Sequence, residues 1–132
     1  MNTRLLTIAG VTLAIALFVS TAEASASDYE FKPVQAEVKT GAGGEVTVRL
    51  VHKSDGKPVS NAVIFRSRMD MSPENMGDMT AKLTAAGTSD EPGLYRFKVE
   101  PTMAGKWALK LMAKVPGESE TVEGAVIVTA RD

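Results

Sequence analysis

Apolar residues recur at every second position in short runs beyond Lys39, and Gly, Pro, Asn and Asp separate the runs. That period predicts half-buried strands. The clearest run is residues 45–52, where Val46, Val48 and Leu50 point one way and Thr47, Arg49 and Val51 the other. The first set is expected in the core. A weaker alternation over residues 34–40 precedes it, joined by the turn Gly41-Ala42-Gly43-Gly44. After a turn at residues 54–61, residues 62–69 resume strand character through Val63, Ile64 and Phe65. Residues 81–85 read as a short edge strand, residues 94–99 as the next, and residues 106–115 set Trp107, Leu109, Leu111 and Ala113 on one face. Residues 121–130 close the series with Val122, Val126, Ile127 and Val128. Six or seven strands at this spacing predict an all-β domain, an immunoglobulin-like antiparallel β-sandwich, for which roughly 100 residues are usual. A closed barrel is the other arrangement with this pattern. Trp107 is expected at the centre of the core.

Residues 1–24 break the period. Arg4 precedes an apolar stretch from Leu5 to Val19, and the small-residue triplet Ala22-Glu23-Ala24 follows, the pattern of a secretory signal peptide. Cleavage before Ser25 is predicted, giving an exported, periplasmic protein. Retention as an inner-membrane anchor is the alternative, since the apolar run approaches the roughly 17 residues of the shortest spanning helix. Residues 25–33 then form a short lead and residues 34–130 the domain.

Charge and composition remove several functions. Fifteen basic against sixteen acidic residues, a net charge of -1, provide no field for phosphate, so no nucleic acid is expected. Without cysteine there is no disulfide, thiolate metal site or Cys nucleophile. The glycines at 41, 43 and 44 lack the spacing of a phosphate loop and lead into a strand. With one histidine, no G-x-S-x-G and carboxylates scattered over turns, the chain is not expected to be an enzyme or to hold a small-molecule substrate.

One stretch carries candidate chemistry. Residues 69–79 contain Met69, Met71, Met76 and Met79, four of the seven methionines. A thioether is a soft, neutral donor suited to Cu(I) or Ag(I), and it needs no deprotonation. If Met69 and Met71 continue a strand, their sulfurs share a face. Ser72-Pro73 then reads as the cap and first residue of a helical turn with Met76 and Met79 on one side of it. Asp70, Glu74 and Asp78 interleave and make the segment locally negative. Such polar composition predicts a solvent-facing, Met-rich loop. Clustered methionine also serves as core filler or as an adaptable contact surface. Met103, in the turn before Trp107, is a candidate fifth sulfur, and His52, at a strand end, a candidate imidazole ligand.

The turn Gly56-Lys57-Pro58-Val59, the Met-rich segment, Gly93-Leu94-Tyr95, Met103-Ala104-Gly105-Lys106-Trp107 and Gly124-Ala125-Val126, in this order, resemble the YtkA-like/FixH-like family of small exported or membrane-anchored β-sandwich proteins. The resemblance spans residues 34–129. It implies an immunoglobulin-like domain near periplasmic copper handling, with inner-membrane metal transport or oxidase-assembly proteins as partners and no reaction of its own. Two expectations follow. The chain holds Cu(I) or Ag(I) as a carrier or accessory, or it is an interaction module that docks a membrane partner through the same methionines.

Overall fold

The computed structural model describes residues 26–88 and 91–132. The alternation becomes eight strands: β1 (Tyr29–Gln35), β2 (Glu37–Lys39), β3 (Gly44–His52), β4 (Val63–Met71), β5 (Met76–Thr88), β6 (Leu94–Glu100), β7 (Gly105–Lys114) and β8 (Val122–Arg131). They hydrogen-bond in the order β1-β3-β6-β5-β4-β7-β8-β2. Two layers result. One holds β1, β3, β6 and the second half of β5. The other holds the first half of β5 with β4, β7, β8 and β2. Every ladder is antiparallel except β2 on β8. This is the immunoglobulin-like β-sandwich that the pattern predicts, with eight strands in place of six or seven and with β5 shared between its layers.

The inward faces are those the alternation marks. Val46, Val48 and Leu50 of β3, Phe97 and Val99 of β6, Trp107, Leu109 and Leu111 of β7 and Val122 and Val128 of β8 are all fully buried. Each such side chain stabilises the fold by about 1.5–3 kcal/mol relative to exposure. The large aromatic residues also satisfy their polar tips. The Tyr95 hydroxyl donates to the Val59 carbonyl at 2.7 Å and accepts from the Ala62 amide at 3.2 Å, tying the connection before β4 to the core. The turn into β6 needs a glycine: at Gly93, with φ +75°, a Cβ would stand 2.7 Å from Pro58 Cβ and 3.0 Å from the Leu50 carbonyl oxygen.

Three features differ from the expectation. The strand expected over residues 34–40 starts earlier and crosses between layers at Ala36. β1 adds to β3, while Ala36 and β2 pair with β8 through the Thr129 amide and the Ala36 carbonyl at 2.9 Å. Tyr29 and Phe31, assigned to a lead outside the domain, are buried in the core. Their two-residue alternation is too short to stand out before Pro33. The edge strand expected over residues 81–85 is the middle of β5, which lies inside the strand order. Its first half pairs with β4 as far as Ala81, and from Lys82 onward it pairs with β6. The expected signal segment, residues 1–24, lies outside the described residues. Among the described residues no helix is long and apolar enough to cross a membrane.

Candidate metal centre

β4 does not end where its apolar run ends. It continues through Met69, Asp70 and Met71, and all three are buried, each 1% exposed. A carboxylate inside a strand is costly unless paired. Asp70 is paired: its Oδ2 accepts from Arg68 Nε at 2.9 Å and from Lys110 Nζ at 3.0 Å, and its Oδ1 accepts from the Ser72 amide at 3.0 Å. Burial opposes its charge, but the bonds from Ser72, Lys110 and Arg68 outweigh burial and hold the carboxyl well below the usual range.

After Met71 the chain makes a single 3-10 turn, Ser72–Glu74, with Met71 rather than Ser72 at the cap position and Pro73 in the first turn. Asn75 then takes the left-handed conformation, φ 59°, which its short polar side chain tolerates, and reverses the chain. Met76 returns as the register partner of Met71. The next partners are Asp70 and Thr80, so Gly77, Asp78 and Met79 bulge out of the ladder. Arg68 Nη2 holds the bulge by donating to the Gly77 carbonyl at 2.8 Å.

A second turn, between β6 and β7, packs on this hairpin. Oε1 of Glu74 accepts from the Lys106 amide at 3.1 Å, and Trp107 Nε1 donates to the Met103 carbonyl at 3.1 Å. At Gly105, φ +137°, a Cβ would lie 3.0 Å from Met71 Cε and 3.5 Å from Glu74 Oε1. The tip of Met71 therefore reaches the turn that carries Met103. Met71, its register partner Met76 and Met103 occupy one end of the sandwich. Met76 is 36% exposed and Met103 39%.

The other predicted ligands lie elsewhere. Met69 sits two residues deeper in β4, about 7 Å by the strand rise, opposite Ala81 on one side and Leu109 on the other, in the hydrophobic core. Met71 belongs to the same buried cluster, but its methyl end reaches Gly105. Met79, 39% exposed, belongs to the bulge. Met76 and Met79 do not share a side of a helical turn, because both belong to β5. His52 ends β3 at the opposite end of the molecule, eight residues and about 26 Å beyond Gly44, the residue that faces Val99. Its ring packs on Tyr29, centroids 4.5 Å apart. Copper ligation together with the methionines is therefore closed to it. The solvent-facing loop reduces to residues 72–75, and the methionines stand in strands. The polar composition of residues 69–79 predicts a loop, yet its one buried carboxylate, Asp70, is neutralised by Arg68 and Lys110 inside a sheet.

Among the described residues no three His, Cys, Asp or Glu side chains gather in a way that could hold a metal. The thioethers at the rim are soft donors, fitting a soft monovalent ion and poorly suited to Zn(II) or Mg(II).

A family model described as YtkA-like matches residues 23–112, a stretch that includes every methionine named above. Comparison with curated proteins finds no match. Among solved structures the chain is similar to the Lin-41 filamin domain, at 16% identity over 76% of this chain and 91% of that one, TM-score 0.45. It is also similar to the ZirS C-terminal domain, at 12% identity over 100% and 86% respectively, TM-score 0.45. For the D00-D0 domain of intimin the values are 15%, 83% and 51%, TM-score 0.41.

Proposed function

We propose, from the premise that the chain belongs to the YtkA-like family, that it binds Cu(I) or Ag(I) at the rim formed by Met71, Met76 and Met103 and hands the ion to a partner. The observation that supports this reading is the register pairing of Met71 with Met76 beneath the turn that carries Met103. Directly opposed residues of an antiparallel ladder hold their Cβ atoms about 4.5–5.5 Å apart, which suits two flexible thioethers bridging one ion.

Three neutral sulfurs leave the ion its single positive charge. The Glu74 carboxylate beside Gly105, one oxygen of which accepts from the Lys106 amide, offsets it. Two of the three methionines are more than a third exposed, so a partner's thioether or thiolate can add to the ion as one rim sulfur leaves. Ligand exchange of that kind is what a carrier requires. The periplasm and an inner-membrane transport or oxidase-assembly partner belong to this same proposal.

The test is competition for Cu(I) against a chromophoric chelator. Met71→Leu, Met76→Leu and Met103→Leu each weaken binding tenfold or more, and Met69→Leu, Met79→Leu and His52→Ala leave it within twofold. Equal affinity in all six variants overturns the site. Met76, Met79 and Met103, all exposed, favour a second reading, a metal-independent docking surface, and loss of partner binding in their variants without any loss of copper affinity would establish that instead.

A further inference from the structure

The splitting of β5 leaves β4 incomplete. From Val63 to Arg68, β4 has a ladder partner on one side only, β7; on the other side pairing with β5 begins at Met69. From Lys82 onward β5 has turned to β6. A cleft of about 510 Å³ opens between them, walled by Arg66, Ser67, Arg68, Thr80 and Leu83. A smaller, separate one of about 160 Å³ is lined by Ile64, Ala85 and Arg96 among others. The Nε of Arg96 is buried with no hydrogen-bond partner among the described residues. Val63 and Phe65, on the incomplete stretch, are 62% and 52% exposed. A strand edge with unpaired main-chain groups and apolar side chains is a template for one more strand.

We infer that this edge of β4 takes up an extended peptide segment of a partner protein, one that alternates apolar with acidic side chains. Alternation follows from the two faces of the cleft. Toward the interior lie Ile64 and Leu83, partly buried against the core. Outward stand Arg66 and Arg68 of β4, which line a groove of about 490 Å³ together with Lys110 of β7 and Glu123 of β8 on the outer face of the layer. Arg68 and Lys110 share Asp70, whereas Arg66 has no ion-pair partner among the described residues. An added strand would bring every second side chain beside Arg66 and Arg68, so carboxylates are selected there. The same charges act against a second copy of this chain. Pairing β4 with β4 would set arginines against arginines.

The experiment is NMR titration of the ¹⁵N-labelled full chain with two capped hexapeptides, one alternating Glu and Val, the other Lys and Val. The acidic peptide is expected to shift amides confined to residues 63–68 and 82–87 and to slow hydrogen exchange in the first group at least tenfold. Affinity should fall at least tenfold in Arg66→Glu, less in Arg66→Gln, and Arg66→Glu should gain affinity for the lysine peptide. The inference is overturned by the absence of shifts at millimolar acidic peptide, by shifts mapping elsewhere, or by equal binding of the two peptides. It is also overturned if residues 63–68 become protected with rising protein concentration alone, since the edge then pairs with itself.

Discussion

Trp107, at the centre of the core, donates its indole N–H to the carbonyl of Met103, on the rim. The one tryptophan of the chain is therefore bonded directly to the turn that carries a candidate ligand. Its emission should change on addition of Ag(I), a redox-inert stand-in for Cu(I), to the full chain. Met103→Ala should abolish the change and Met79→Ala preserve it; fluorimetric titration decides.

Met69 and Met71 are equally buried, yet only one is assigned to the site. Replacing either by Leu conserves volume and should cost less than about 1.5 kcal/mol in chemical denaturation. Metal affinity separates them, with Met71→Leu losing it and Met69→Leu keeping it. Equal losses would mean that the ion sits deeper than the rim.

Gly105 meets Met71 from the opposite turn. Gly105→Ala combines a left-handed backbone with a Cβ 3.0 Å from the Met71 methyl. It should destabilise the chain by about 1–2 kcal/mol and lower Ag(I) affinity by displacing that thioether. Thermal denaturation and metal titration of the one variant measure both effects.

Asp70 gives the fold an acid-sensitive element. Its carboxyl titrates lower when folded than the roughly 3.9 of an unfolded chain. Its contribution is therefore complete above that value and lost as pH falls toward the folded one. Asp70→Asn should remove about 1–3 kcal/mol at neutral pH. The lower part of the 3–5 kcal/mol range for broken buried pairs is not reached, because Arg68 and Lys110 are half-exposed and can turn to water. Urea unfolding below about pH 4 should show a flatter pH dependence in the variant than in the parent.

Thioethers bind no proton, so Ag(I) affinity at the rim should stay level between about pH 5 and 8, where an imidazole site would weaken near its pKa of about 6.5. His52→Ala should leave that profile unchanged. A pH-dependent profile that flattens in His52→Ala would overturn the rim site.

Most of the sandwich is legible in the alternation. Val46-x-Val48-x-Leu50 and Trp107-x-Leu109-x-Leu111 face inward as their period requires, because a sheet with one buried face cannot slip by a residue without exposing that whole set. Illegible were the places where a strand changes neighbours. Neither Ala36 nor the Ala81-Lys82 step carries a glycine, a proline or a break in polarity, since the hand-over is decided by which partner is close in space. The methionine segment misled for a related reason. Asp70 is polar by composition and buried by partnership, and its partner Lys110 lies forty residues away. A local signal was nonetheless present in Arg68-x-Asp70, a strand-spaced opposite pair.

Ala36 on one flank and the middle of β5 on the other each pass a single backbone from layer to layer. The two layers are thus laced at both margins, and shear between them would have to stretch covalent chain. A load applied to either layer is shared by the whole molecule as by a closed box girder. Structural response is left to the short turns at its open ends.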